Sequence, residues 1–232
     1  LLSIFGKKHP LSTRYIDNFI KKANPKLVIT FVDTNPGFYG ISYRHENIKT
    51  IAIQNGYRAN AHLFNYLEKF TSIQTYYSDY LLLFGPGIAK KYLEFINGSA
   101  ISIGSMKNNI ISQNVEKIHN SIGFISQFRS AKNINIGKNS FLFNDLWDRP
   151  NKFILQFLIK YCKDNEKILY LIPSGKTKHA LENEKIYYKR LLGIDLNFMD
   201  CYNGYVCVDR CEITVSVDST LGYESLSRGN KS

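Results

Sequence analysis

The sequence predicts an α/β protein of two halves, each built on a parallel sheet. Three observations predict it. Short, β-branched apolar runs alternate with amphipathic stretches of helical period. The runs are continuously apolar, as strands covered on both faces are. The series breaks in a polar stretch, residues 107–120, and restarts near Ser121. Two Rossmann-like domains with parallel sheets facing a cleft are therefore expected, over residues 1–112 and 113–232.

Each element follows in order. Residues 14–23 read as a helix with Ile16, Phe19 and Ile20 on one face. Residues 27–32 form a buried strand running into the turn 33–37. Residues 50–54 are a second strand, stopped by Asn55 and Gly56, and 80–84 a third, stopped by Gly85 and Gly87. A helix over 88–96 is closed by Asn97 and Gly98, and a fourth strand over 100–103 ends at Gly104. In the second half, 121–126 is a strand. A long helix starts at Arg149 or Pro150, because Pro suits a first turn. Residues 167–172 are a strand, 181–192 a helix ended by Gly193, 196–199 a short strand, and 212–217 a strand ended by 218–220. Leu221 opens a helix that Gly229 stops. A complete half continues with another strand and helix, so the second domain is expected to be incomplete.

Composition bounds the function. The chain is 44% hydrophobic and 21% charged, which supports a packed core rather than disorder. The net charge of +11 suits a phosphate-bearing ligand or an anionic membrane surface as well as a plain solvated face. The lysines are scattered rather than massed, so nucleic acid is not an expected partner. No apolar run reaches the roughly 18–20 residues that span a bilayer, and no signal peptide is visible. A cytoplasmic protein is expected, at most peripheral at the inner face of the membrane. Cys162, Cys201, Cys207 and Cys211 read as reduced, buried small hydrophobes. No CxxC pair and no His among the last three supports a zinc site.

In open parallel sheets, ligands bind beyond the carboxyl ends of the strands. The sharpest such segment is 218–224. Asp218, Ser219 and Thr220 sit at a helix start, where free amides and the helix dipole favour an anion. Gly222 allows close approach of a ligand or strand, and Glu224 offers an acceptor for a sugar hydroxyl. The competing reading is a capping box. Ser126, Gln127 and Arg129 begin the loop after the first strand of this half. Ser174 and Lys176 lie in the next loop, suited to holding a phosphate. The run 174–177 is not a Walker site, since its first glycine is missing. In the first half, Asp33 follows a strand and is the first candidate for a general base. Its alternative is a turn-forming Asp. His62 and His45 come next. Asn55 is placed to orient an acceptor, and Arg58 to bind an anionic group or form a surface ion pair.

Residues 215–229, Val-Ser-Val-Asp-Ser-Thr-Leu-Gly-Tyr-Glu-Ser-Leu-Ser-Arg-Gly, resemble the donor-site segment of bacterial capsule and lipopolysaccharide glycosyltransferases of the GT-B type. Residues 50–58, 80–85 and 101–105 resemble the N-domain strand ends of the same proteins. The similarity covers roughly 25–232. It implies transfer of a sugar from a nucleotide-activated donor to a surface glycan or lipid-linked acceptor, with no cofactor. The chain departs from related proteins where Asn55-Gly56 stands in place of an expected His-Gly and Pro173-Ser-Gly175 in place of an expected His-Pro. No DxD pair lies in a suitable turn, which fits a metal-independent reaction. Two other readings stay open: a nucleotide-sugar epimerase on the same scaffold, and a non-catalytic nucleotide-binding assembly protein.

Overall fold

A computed structural model describes residues 11–58, 64–71, 76–111, 115–128, 148–175, 177–201 and 203–232. The chain divides into two compact units, Leu1–Asn109 and Ile110–Ser232. Among the described residues, each unit holds one four-stranded sheet, and every strand pair in both sheets is parallel.

The first unit runs α1 (Leu11–Ala23), β1 (Leu27–Thr30), a 3-10 turn (Phe38–Gly40), α2 (Ile41–Arg44), β2 (Lys49–Ile53), α3 (Phe64–Thr71), β3 (Tyr76–Leu83), α4 (Pro86–Leu93) and β4 (Ile96–Ser102). Its sheet order, β1-β2-β3-β4, is the chain order. Right-handed crossovers between strands laid down in sequence put all the connecting helices on one face. One core cluster results, drawing Ile20 from α1, Ile41 from α2, Leu67 from α3 and Tyr92 from α4 onto Ala52, Leu81 and Leu83.

Among the described residues, no helix covers the opposite face, against the expectation of helices on both sides. Ile29, Ile51 and Tyr80 are register partners across β1, β2 and β3. Ile29 is 51% exposed and Tyr80 44%; on β4, Ile101 is 43% exposed. The continuous apolar pattern of these strands is thus not a sign of two-sided cover here.

Strand β3 begins four residues before the expected start. Its register with β4 shifts between Tyr77 and Tyr80, and Gly98 sits opposite the irregularity. Gly98 has φ +145, and a Cβ there would lie 1.8 Å from the Ser78 carbonyl oxygen. Asn97 and Gly98, expected to close a helix, therefore lie inside β4, where a glycine admits the bulge of its neighbour.

Helix α5 (Met106–Ile110) closes the first unit and reaches its border, and the second unit contains β5 (Ile118–Ile125), α6 (Arg149–Asp164), β6 (Ile168–Ile172), α7 (Lys178–Leu192), β7 (Asn197–Phe198), α8 (Gly204–Arg210), β8 (Cys211–Val215) and α9 (Thr220–Ser227). The sheet order is β7-β6-β5-β8. The chain moves outward from β5 to β7, then returns to the other side of β5. The reversal places helices on both faces. Ile122, Phe124 and Leu171 pack with Leu155 and Leu158 of α6 and Tyr188 of α7. Ile125 and Ile172, one residue on, pack with Cys207 and Val208 of α8. The two-residue period of a strand separates the two cores.

Two details of this unit were not expected. Helix α8 was not read in the sequence. Cys201 and Cys207, read as reduced, are joined by a disulfide with Cα atoms 5.9 Å apart, a normal span for such a bridge. The α8 turn brings Cys207 back beside the end of β7. Cys162 and Cys211 are free and buried, as expected. Burial pushes the Cys211 thiol up to about 12.

Gly123 lies on the α8 face of β5. A Cβ there would come within 2.5 Å of Cys211 Sγ and 2.8 Å of Ile172 Cδ1. Gly123→Ala is expected to lower stability by about 1–3 kcal/mol through overpacking. Urea unfolding measures the loss, and Cys211→Ala in the same chain should restore part of it.

Candidate functional site

The reversal of strand order marks the place where a parallel sheet opens a crevice, here between the loops after β5 and β8. The loop after β6 lies on the other side of β5. Residues from all three loops are bonded together. The Asp218 amide donates to Gln127 Oε1 at 3.2 Å, joining the β8 loop to the β5 loop. The Ser174 hydroxyl donates to the Phe128 carbonyl at 3.1 Å, joining the β6 loop to the same segment. Four of the residues singled out in the sequence, Ser126, Gln127, Ser174 and Asp218, therefore occupy one end of one sheet.

What holds the β6 loop is a residue the sequence reading missed. Glu184 of α7 has no exposed surface. Its carboxylate accepts from the Ser174 amide at 3.1 Å, the Gly175 amide at 3.1 Å and the Ser174 hydroxyl at 3.3 Å. A buried carboxylate needs such donors. Gly175 is required at this turn, since a Cβ would lie 2.8 Å from that of Ala180. Thr177 caps α7 by accepting from the Ala180 amide at 3.2 Å. The signal for Glu184 was present: it lies on the same helical stripe as Leu181, Tyr188 and Leu191, where an acid is out of place unless something inside the protein binds it.

These bonds revise two expected roles. The Ser126 hydroxyl pairs with the Tyr188 hydroxyl at 3.0 Å and accepts from the Phe128 amide at 3.1 Å. Ser174 is engaged by Glu184 and Phe128. Both serines shape the crevice rather than present a free hydroxyl to it. Arg129 and Lys176 lie outside the described residues.

Helix α9 is held by packing and polar contacts behind its first turn. Gly222 packs against the end of β8, where a Cβ would come within 2.2 Å of Ser216 Oγ; it admits the chain itself. The Thr214 and Ser225 hydroxyls meet at 3.0 Å. At the far end, Arg228 forms a buried bidentate ion pair with Asp209 of α8, with Nε at 2.9 and 3.0 Å from the two carboxylate oxygens. Asn230 donates to the same carboxylate at 2.9 Å, and Lys117 donates to Asn230 at 2.8 Å. Glu224 is buried and accepts from the Tyr205 hydroxyl at 3.0 Å.

Ser219 is the helix N-cap, in an extended conformation, and its side chain makes no capping bond. The capping-box alternative is thus not adopted by Ser219. Ser219 and Thr220 are both half-buried. A helix start with an uncommitted N-cap hydroxyl lies next to the strand-order reversal.

In the first unit, Asp33, Asn55 and Arg58 come together beyond β1 and β2, but their chemistry differs from the expectation. Asp33 is 0% exposed. Arg58 donates to it through both Nε, at 2.8 Å, and Nη2. The Tyr92 hydroxyl and, at 3.4 Å, the Asn55 amide also donate to the carboxylate. Burial first, and then Asp33, push the Tyr92 phenol well up, so it donates rather than ionises. Burial opposes the Arg58 charge, but Asp33 outweighs it and holds the guanidinium above its usual value. A carboxylate enclosed in this way is not placed to take a proton from an acceptor. Asp33 anchors Arg58, and Arg58 in turn donates to the Asn55 side chain and the Tyr57 carbonyl. His45 is bound to Asp17 at 3.0 Å, and His62 lies outside the described residues. Among the described residues, no group of three or more His, Cys, Asp or Glu is arranged to hold a metal ion.

Comparison with known proteins gives a family and a fold. A family model described as "putative O-antigen biosynthesis protein" matches residues 51–232. No curated protein matches the chain. The UDP-GlcNAc 2-epimerase of Methanocaldococcus jannaschii, solved with UDP-GlcNAc and UDP, is similar with a TM-score of 0.55 at 13% identity, over 95% of this chain and 62% of that one. A second structure of the M. jannaschii enzyme gives 0.51 at 15% identity, over 98% and 67%. S. aureus MnaA, solved with UDP, gives 0.51 at 15%, over 94% and 60%. At these identities the likeness is one of fold, the GT-B-like α/β arrangement of parallel sheets. The chain spans 62% of the length of the first of these structures.

The Asp33–Arg58 pair has a measurable signature. Arg58→Met should strand a buried carboxylate and lower stability by about 3–5 kcal/mol. The Asp33→Asn/Arg58→Met double variant should lose clearly less in urea unfolding. Equal losses would show that the two charges do not depend on each other.

Proposed function

The chain belongs to the O-antigen biosynthesis family, and from that premise we propose that it is a glycosyltransferase that takes a nucleotide-activated sugar in its second unit and passes the sugar to a surface glycan or lipid-linked acceptor. The observation that carries this reading is the start of α9. Its N-cap hydroxyl is not spent on the helix, and it stands beside the crevice between β5 and β8. Charge grows on the nucleotide phosphate as the sugar leaves. Helix-start amides, the helix dipole and the Ser219 and Thr220 hydroxyls are suited to stabilise that charge without a metal ion. Gln127 and Asp218 then form the wall toward β5, and Glu184 keeps the β6 loop in place. In the first unit, Arg58, held by Asp33, is suited to orient an anionic acceptor, with Asn55 beside it.

A second reading has one observation in its favour. The similar structures named as UDP-GlcNAc 2-epimerases share the fold, so isomerisation of the sugar nucleotide itself is the alternative. It places the nucleotide at the same helix start and differs only in the fate of the sugar.

The experiment is a thermal-shift panel of nucleotides and nucleotide sugars, with cytidine and uridine donors first, followed by product analysis with a labelled donor. Transfer or donor hydrolysis supports the transferase, an isomerised nucleotide sugar the epimerase. Binding without turnover supports neither. Ser219→Ala should weaken donor binding by about 1.5–3 kcal/mol, the worth of a hydrogen bond to a charged group. It should change the melting of the unliganded protein little, because no capping bond is lost.

A further inference from the structure

The outward face of α6 carries chemistry that the donor site does not use. Asn151, Leu155, Leu158 and Cys162 bury the inner side of this helix. The outer side is not simply polar. Phe153 is 74% exposed and Phe157 61%, and Tyr161, one turn further, continues the stripe. Phe157 and Tyr161 stack with ring centroids 6.0 Å apart. Three aromatic side chains spaced four residues apart thus form a ridge along the helix.

Beside that ridge run Arg149, Lys152, Lys160 and Lys163, all exposed, with Asp164 as the acid on the same face. Lys160 pairs with Asp164. Arg149, Lys152 and Lys163 make no ion pair among the described residues. Across from the helix start, Arg190 of α7 joins Arg149 and Lys152 around a groove of about 730 Å³. Asp148 is the acid of this groove, and it accepts a hydrogen bond from the Tyr187 hydroxyl.

We infer that this face of α6 docks the protein on an anionic lipid bilayer. The ridge inserts its rings at the level of the headgroups, and the groove receives a lipid phosphate among Arg149, Lys152 and Arg190. Charge complementarity selects this occupant over a second copy of the chain: two copies meeting here would bring like charges together, whereas aromatic rings flanked by lysines match the bilayer interface. Each cation near an anionic surface adds to binding, and the chain's +11 net charge acts in the same direction. The inference goes beyond the sugar-transfer reading and does not depend on it, since docking is measured without nucleotide.

The test is flotation of the full chain with phosphatidylglycerol–phosphatidylcholine vesicles and with pure phosphatidylcholine vesicles, beside light scattering for oligomeric state. Binding to the anionic vesicles, weakened by salt, is expected, with little binding to the neutral ones. Phe153→Ser/Phe157→Ser and, separately, Lys152→Gln/Lys163→Gln should each lower the bound fraction roughly tenfold. Neither pair should move the melting temperature, since these side chains are exposed. Unchanged vesicle binding in both variants overturns the proposal. So does a dimer that Phe153→Ser/Phe157→Ser dissociates in a chain that ignores vesicles.

Discussion

A carboxylate removed from water must be surrounded by donors, and in this protein that requirement fixes the loops. Asp33 and Glu184 have no exposed surface, and Asp209 has little. Each draws its donors from segments that would otherwise be free to move. Asp33 collects Arg58, Asn55 and Tyr92; Glu184 collects the amides of Ser174 and Gly175; Asp209 collects Arg228 and Asn230. Such groups contribute little net stability, because desolvation offsets most of the attraction. What they supply is a single geometry: Asp33 and Glu184 hold the loops after β1 and β6, and Asp209 ties the end of α9 to α8.

The two sheets put this device to different uses because their strand orders differ. Among the described residues of the first unit, the strands follow the chain, the helices gather on one face, and no reversal opens a crevice within the sheet. Its buried acid ties the β1 and β2 loops to one another. In the second unit the order turns back at β5, and helices cover both faces. The β5, β6 and β8 loops then converge, with α9 and the residue after it held by Ser216, Thr214 and Asp209.

Much of the fold was legible in the sequence because strand-length apolar runs and glycine stops are local signals. The α/β class and parallel sheets followed from them. The misreadings have tertiary causes. Gly98 looked like a helix stop, yet it serves the bulge at Ser78. The apolar runs of the first unit looked doubly covered, yet cover depends on strand order, which no single run encodes. At the candidate site, position after a strand singled out Gln127, Asp218 and Ser219, and the structure joins the first two by a hydrogen bond. It did not reveal that Asp33 and Ser126 are spent on internal bonds. Glu184 and Asp209 were overlooked although each is an acid embedded in an apolar pattern, and that contradiction is itself a readable sign.

The uncovered face of the first sheet carries a consequence for handling the molecule. Ile29, Ile51 and Tyr80 stand side by side with Ile101 nearby, and β1 leaves its outer edge unpaired among the described strands. A partly exposed apolar face next to an open hydrogen-bonding rim invites stacking between molecules. A preparation of the first unit alone would therefore cloud as it is concentrated. Mild detergent would clear it better than a change of buffer strength, because the attraction lies in shed water rather than in charge.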